Sequence, residues 1–284
     1  MTDTSLDLEQ LTIREFASLD EYQACVAFQE ETWGRGFSER VPGAILHVGQ
    51  EIGGVSAGAF EPTGRLVGFV FGLTGVRDGA LVHWSDMLAV LPEYRNRHLG
   101  ERLKQYQAQR VVDLGVRTML WTYDPLVARN AHFNINRLRA FPADYRPDMY
   151  GSNTGSTLHG GLPTDRFVVA WDLTRALGQP PGDDAPAADD DALRLLNPVG
   201  PTGAPCVVHS GGADTVRIQV PRDSHHVLSS SPELAAAWRY TVREIIAPLL
   251  ADGYRVARFV RARGDVLPYY VFTRDPSLFP FSDR

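Results

Sequence analysis

The reading turns on one stretch, Leu88-Ala89-Val90-Leu91-Pro92-Glu93-Tyr94-Arg95-Asn96-Arg97-His98-Leu99-Gly100-Glu101-Arg102-Leu103-Lys104. An apolar run stops at Pro92, which has no N–H to give to a strand ladder. A basic segment follows, and a helical pattern opens near Leu99. The first N–H groups of a helix have no acceptor within it, and the helix dipole adds positive potential there. Arg95 and Arg97 add formal charge. Strand, basic loop and helix start in that order suit a pyrophosphate. Each charge-assisted hydrogen bond to one would contribute about 1.5–3 kcal/mol. The same pattern also fits a plain connection with arginines in solvent, and local physics alone leaves both readings open.

Around this stretch strand and helix signals alternate. Upstream, Leu11 to Phe16 reads as a short strand, and Ser18-Leu19-Asp20-Glu21 is a capping box. The helix behind it carries Tyr22, Val26, Gln29 and Trp33 on one stripe and ends at Gly34. Gly53 to Phe60 and Arg65 to Leu73 flank the turn Glu61-Pro62-Thr63-Gly64 and form a hairpin. Ala80 to Val90 is a longer strand, and Leu99 to Leu114 a helix closed by Gly115. Arg117 to Tyr123 is a strand broken at Pro125, Ala128 to Arg139 a helix, and Arg166 to Leu173 a buried strand. The class is α/β (α+β), a mixed central sheet flanked by helices.

The composition then shifts. Residues 176–205 are rich in Pro, Gly, Ala and Asp, with five aspartates between Asp183 and Asp191, and read as a solvated linker. It divides a first domain, 1–175, from a small β-α-β-β domain, 206–284. The latter has a strand at Val216 to Val220, a helix from Pro232 to about Ala251, and two strands around Gly264-Asp265. Its helix carries Leu234, Trp238, Val242, Ile245 and Leu249 on one face, which needs covering by the first domain or by a partner chain.

With 44% hydrophobic and 22% charged residues, the 284-residue chain reads as an ordinary soluble protein. A net charge of −6 argues against general nucleic-acid binding. No apolar run reaches the ~18 residues of a membrane span. The first ten residues are polar and unlike a signal peptide, so the expected compartment is cytoplasmic. Cys25 and Cys206 stand far apart, which excludes a disulfide framework and a thiol zinc site. His83, His132, His159, His225 and His226 form no metal-binding pattern, so no metal is expected. Gly54-Val55-Ser56-Ala57-Gly58 has the letters of a hydrolase elbow, but its serine lies inside a strand. His159-Gly160-Gly161 has the letters of an oxyanion loop, with as little context. Of the 28 basic residues only Lys104 is lysine. Imine chemistry needs a desolvated lysine, and Lys104 reads as lying on an exposed helix face.

Leu88 to Leu103 resembles the cofactor motif of the GNAT acyl-CoA N-acyltransferases, a strand, a Pro-x-x-Arg turn and then R/Q-x-x-G-x-G/A. Arg95-Asn96-Arg97-His98-Leu99-Gly100 is that signature here. The resemblance runs over roughly residues 10 to 173. Asn130-Ala131-His132-Phe133-Asn134-Ile135-Asn136 is similar to the family's later helix, where an Asn lies near the pantetheine arm. Glu31-Thr32-Trp33-Gly34, Trp121-Thr122-Tyr123-Asp124-Pro125-Leu126, Arg129-Asn130-Ala131, Tyr150-Gly151 and Gly161-Leu162-Pro163-Thr164-Asp165-Arg166 resemble a bacterial subgroup with a C-terminal extension. His98 departs from the family, which usually has Gly there. Asn136-Arg137-Leu138-Arg139-Ala140-Phe141 lacks the family's usual tyrosine acid.

The resemblance implies N-acyl transfer from an acyl-CoA, acetyl-CoA first and succinyl-CoA as the alternative, to a small amine or amino acid. It implies that the strands Ala80 to Val90 and Arg117 to Tyr123 splay to admit the thioester. The cofactor-binding residues would be Leu88, Ala89, Val90, Arg95, Asn96, Arg97, His98, Leu99, Gly100, Asn130 and Phe133. Asp86 and Asp124 are the candidate bases, with His83 on the opposite strand face from Asp86. Tyr150 is the candidate acid, and Glu31 and Trp33 are candidates to shape the acceptor pocket. An α-amine, pKa ~8, needs less help from a base than a lysine amine, pKa ~10.4. A non-catalytic acyl-CoA-binding module is the competing class, motivated by His98 and Asn136. The expected partners are small molecules, without nucleic acid or membrane, and a homodimer is left open.

Overall fold

The computed structural model describes residues 8–278 except 157, 176, 183–185 and 188. Their packing falls into two units. The first comprises the described residues up to Trp121, with 155–156 and 171–179; the second comprises 122–154, 158–170 and the described residues from 180 onward.

The first unit runs β1 (Thr12–Glu15), α1 (Leu19–Trp33), α2 (Gly43–Glu51), β2 (Val55–Phe60), β3 (Leu66–Arg77), β4 (Ala80–Val90), α3 (Leu99–Val112) and most of β5 (Thr118–Tyr123). Ser18 caps α1 by accepting from the Glu21 N–H at 3.3 Å, and the Glu21 carboxylate accepts from the Ala17 N–H at 2.7 Å. The reciprocal bond thus closes one residue earlier than a standard capping box. The β2–β3 hairpin forms as its turn residues require. α2 is absent from the sequence reading, because its glycines mask a short helix. Gly49 is needed there, since a Cβ would come within 2.9 Å of Leu73. The strands lie in the order β1-β2-β3-β4-β5, antiparallel except for the parallel β4–β5 pair. α3 lays Leu99, Leu103, Ala108 and Val111 into the core, and Phe28 of α1 meets Phe69 edge-on at 5.4 Å.

The second unit contains α4 (Ala128–Ala131) with a π-helical turn over His132–Arg137, β6 (Phe141–Arg146), most of β7 (Arg166–Asp172), β8 (Arg194–Leu195), β9 (Thr215–Gln219), α5 (Ser224–Ser230), α6 (Pro232–Ala251), β10 (Arg255–Val260) and β11 (Tyr269–Thr273). β6 pairs antiparallel with β7, and a small sheet has the order β10-β11-β9-β8. Ser231 caps α6 by accepting from the Leu234 N–H at 3.2 Å, with Pro232 at the first turn.

Two boundaries read from composition do not match the packing. The described residues from 206 onward share a core with 122–154 and 158–170: Phe167 meets Tyr270 edge-on at 5.6 Å, the Tyr270 hydroxyl donates to the Pro125 carbonyl at 2.8 Å, and Asn136 Nδ2 donates to the Phe259 carbonyl at 2.9 Å. The apolar face of α6 is covered inside this unit, where Trp238, Val242, Ile245 and Leu249 are buried. The stretch expected as solvated linker is partly core as well. Asp190 is buried and takes bonds from Arg258 and, at 2.8 Å, from the Tyr269 hydroxyl, while Leu196 and Asn197 are buried beside β8. Composition cannot tell a solvated aspartate from one that has a cationic partner far along the chain.

Candidate active site

β4 carries a bulge. Its register to β3 steps from Met87–Phe71 to Ser85–Gly72, so Asp86 is the extra residue. His83, Ser85, Met87 and Ala89 are buried, whereas Asp86 is exposed. Partial burial pushes the Asp86 carboxyl upward, a hydrogen bond from Trp84 opposes this, and the charge of Glu39 adds to it. Solvent at its open side limits the rise. The parallel register to β5 runs only from Val82–Thr118 to Trp84–Leu120, yet β4 continues to Val90. Past Trp84 the other edge of β4, which includes Leu88, Ala89 and Val90, faces no strand of the first unit.

This edge leads into the basic loop. A 3-10 turn over Pro92–Tyr94 is anchored by the buried Tyr94, whose hydroxyl donates to Glu61 at 2.5 Å. Arg95 Nε donates to the Val90 carbonyl at 3.0 Å. Asn96 and His98 have left-handed φ values of 60° and 62°. A glycine would take the His98 conformation freely, whereas a side chain costs about 1 kcal/mol. His98 is the N-cap of α3, makes no side-chain capping bond, and places Nδ1 3.3 Å from Glu101 Oε2. The first intrahelical bond is from the Arg102 N–H to the His98 carbonyl. An end of α3 not capped by its own side chain, exposed Arg95 and Arg97, and Gly100 in the first turn fit an anionic pyrophosphate.

Lys104 is not on an exposed face. Its residue is 2% exposed. Nζ donates to Ser85 Oγ at 2.6 Å and lies 3.8 Å from the Trp121 ring centre, and Ser85 donates to Gln107 Oε1 at 2.6 Å. Burial pushes the amine well below the ordinary lysine range. Its neighbours on the buried stripe, Leu103, Gln107, Ala108 and Val111, were the available signal. Behind it His83 is held neutral by burial, at about 3, with Nδ1 3.0 Å from Thr74 Oγ1. Ser56 Oγ donates to the Leu46 carbonyl at 2.6 Å inside β2, which closes the hydrolase reading. Trp33 is half-buried against Phe37 and Phe69, and Glu31 is exposed.

The remaining expected residues belong to the second unit. Asp124 receives both Nη atoms of Arg239, one at 2.9 Å, and the Leu126 N–H at 2.9 Å. Burial would raise this carboxyl, but the charge and hydrogen bonds of Arg239, with the charge of Arg166, hold it below the ordinary range. A carboxylate so held does not take a proton near neutrality, which argues against Asp124 as base. Tyr150 Oη lies 3.1 Å from Thr122 Oγ1, and its ring centre 5.6 Å from the Arg166 guanidinium. Asn130 and Phe133 are half-buried on α4 and the π-helical turn, and Asn136 serves β10. The structure also makes pairings that the sequence reading did not contain. Arg243 pairs with buried Asp165, which the Tyr145 hydroxyl also reaches at 2.5 Å, and His159 Nε2 accepts from Arg166 at 2.9 Å. An arginine one residue after Trp238 on the apolar stripe of α6 was the only signal for this network.

Among the described residues no group of three or more His, Cys, Asp or Glu side chains gathers to hold a metal, and no helix is long and apolar enough to cross a membrane. No curated protein matches the chain. Solved structures are similar to part of the chain at low identity. yncA, described as a putative acetyltransferase from Salmonella typhimurium with its cofactor acetyl-CoA, is 18% identical, with a TM-score of 0.45 over 63% of this chain and 99% of its own. The ribosomal-protein-S18-alanine N-acetyltransferase from Escherichia coli is 17% identical, with a TM-score of 0.42 over 57% of this chain and 94% of its own. Arabidopsis thaliana NAA60 in complex with acetyl-CoA is 12% identical, with a TM-score of 0.46 over 57% and 99%. The model of the acetyltransferase (GNAT) family matches residues 18–133, which span α1, the sheet edge and the α3 loop described above. Over residues 18–133, less than half of its length, the chain is therefore similar to the acetyltransferase (GNAT) family.

Proposed function

We propose that the chain transfers an acyl group, acetyl foremost, from coenzyme A to a small amine or amino acid, with the donor bound along β4 and the start of α3. One observation carries this reading: a bulged strand that leads through a loop bearing the exposed Arg95 and Arg97 directly into the start of a helix. The N–H groups at the start of α3, with Arg95 and Arg97, hold the pyrophosphate. The backbone of Leu88 to Val90 binds the pantetheine and donates to the thioester oxygen as charge develops there. The thioester supplies the activated acyl carbon. The acceptor nitrogen forms a bond to that carbon, the C–S bond breaks, and the amine proton passes to Asp86, whose raised pKa makes it the better base of the two aspartates. We place the pyrophosphate on backbone and arginines rather than on His98, whose ring is beside Glu101.

Gly100→Glu tests the donor site by adding bulk and like charge to the first turn of α3. Calorimetry should show CoA affinity reduced at least about tenfold, the value of one charge-assisted contact, with the melting transition retained. Unchanged affinity would mean that the donor binds elsewhere. Thiol release from acetyl- and succinyl-CoA across an amine and amino-acid panel then identifies acyl group and acceptor. Tight CoA binding without turnover on any acceptor would favour the non-catalytic module. Asp86→Asn should lower kcat and remove the acid limb of its pH profile while leaving CoA affinity intact.

A further inference from the structure

The second unit contains a hollow of about 480 Å³, counted out to its open mouth, that the acyl-transfer reading does not use. Its walls are largely apolar, with Leu126, Leu162, Leu228 and Trp238 among them, and Asp124, Arg239, Arg166, His159 and His225 also line it.

The charges in this hollow do not balance. Asp124 is gripped by both Nη atoms of Arg239. Arg166, whose side chain is 9% exposed, has neutral partners: the Asp165 carbonyl at 3.0 Å and His159 Nε2 at 2.9 Å. The carboxylate oxygen beside it, Asp124 Oδ2, is 3.7 Å away and already accepts from Arg239. His159 Nδ1 lies 2.6 Å from Thr154 Oγ1, and burial, with the charge of Arg166, holds the ring neutral at pH 7, at about 4. The Asp165 carboxylate, whose charge also acts on both arginines, is taken up by Arg243, so three arginines share two carboxylates. An arginine keeps its charge when buried, and its planar fork retains donors beyond the two hydrogen bonds made. Arg239 Nε is likewise buried without an acceptor. A buried cation in surplus, beside an N–H in need of an acceptor, calls for an anion.

We propose that this hollow is a binding site for a small monocarboxylate with an apolar body, its carboxylate set on Arg166. A single negative charge closes the balance, whereas a phosphate dianion would overshoot it. The apolar walls accept a hydrocarbon body and offer little to a hydrated inorganic ion. This site does not depend on the donor site of the first unit.

The test is calorimetry on the full chain at pH 7.5 with 4-methylpentanoate, 4-methylpentanamide and formate as probes. 4-Methylpentanoate should bind at least about tenfold more tightly than the amide, which lacks the charge, and than formate, which lacks the hydrocarbon. Arg166→Gln should weaken it by about tenfold to a hundredfold. Because Arg166 is buried, Leu162→Trp provides a second arm. It fills the hollow from a half-buried wall position and should abolish binding with the melting transition kept. Gly100→Glu should bind 4-methylpentanoate as the unmodified chain does, which separates this site from failure of the donor site. Equal affinity for acid and amide, equal affinity for formate, or no binding by the folded chain at millimolar probe would each overturn the proposal.

Discussion

Lys104 in the first unit and Arg166 and Arg239 in the second are all basic and all buried, yet they meet burial in different ways. The partners of Lys104 are a serine hydroxyl and an indole face, with no carboxylate among them. Burial pushes its pKa well below the ordinary lysine range, so the amine holds its proton less tightly. A guanidinium has no such escape. The second unit therefore supplies carboxylates, Asp124 for Arg239 and Asp165 for Arg243, each through two hydrogen bonds. A buried base that can lose its proton needs only hydrogen bonds; one that cannot needs an anion. Arg166 is the case left over, and that surplus motivates the carboxylate site.

The largest effect should come from breaking the arginine side of this comparison. Asp124→Asn removes the anion and leaves Arg239 and Arg166 buried together. Loss of one partner of a buried pair typically costs about 3–5 kcal/mol, so the denaturant midpoint should fall well below that of the unmodified chain. Arg239→Met in the same background should recover part of it. A wild-type midpoint for Asp124→Asn would mean that the pair adds nothing. Acid should do the same by titration. The Asp124 and Asp165 carboxyls are depressed in the folded chain, Asp124 by Arg239 and Asp165 by Arg243 and Tyr145, each against the upward push of burial. Their contribution is therefore present above the unfolded value of ~3.9 and lost as pH falls through the folded values. His159, folded at about 4, adds a loss that begins as pH drops below the unfolded value of ~6.5. Equilibrium unfolding should show a shallow decline below pH ~6.5 and a steeper one below ~4.

The lysine side should respond with the opposite sign. Lys104→Met keeps the volume and removes the amine. Burial lowers the folded amine's pKa well below the ordinary lysine range, so at pH 7 the substitution should stabilise by roughly 2 kcal/mol after the Ser85 bond is lost, in the range seen when buried polar groups give way to apolar ones. The folded pKa is depressed, so the native lysine contributes fully only above its unfolded value of ~10.4 and less as pH falls. The gain from methionine should accordingly shrink toward pH 10. A loss of stability that is constant with pH would show that the folded amine is charged.

How much of this could be read in the sequence depended on whether the partners were local. The β2–β3 turn, the Ser18 cap, β4 up to Pro92 and the start of α3 are set by neighbours within a few residues, and they were legible. So was the course of the basic loop, because strand, arginines and helix start are contiguous. The state of Lys104 was not, since a lysine on an amphipathic stripe looks solvated until its helix is seen packed on Ser85 and Trp121. Asp124 reads as a candidate base. Its carboxylate takes the Leu126 N–H close by, but Arg239 stands 115 residues away and leaves no local mark. Asp190 was hidden in an acidic run for the same reason, its partners Arg258 and Tyr269 being 68 and 79 residues distant.

The smallest expected effect calibrates the others, because it holds the chemistry fixed and changes only the burial. Arg110 reaches Glu15 with the same two-bond grip that Arg239 uses on Asp124, Nε at 3.1 Å and Nη2 at 3.2 Å, but from a side chain 48% exposed. Water solvates both partners when the pair opens, so nothing is left stranded. Exposed pairs contribute about 0.2–1 kcal/mol, and salt screens them. Arg110→Gln should therefore shift the unfolding midpoint by less than about 1 kcal/mol, and most of that difference should vanish in 1 M salt, where the screening length falls to about 3 Å. The deficit of Asp124→Asn should persist under the same conditions, because salt does not reach its cluster. If the two substitutions proved equally costly and equally sensitive to salt, burial would not be what separates these pairs, and the surplus charge assigned to Arg166 would lose its physical basis.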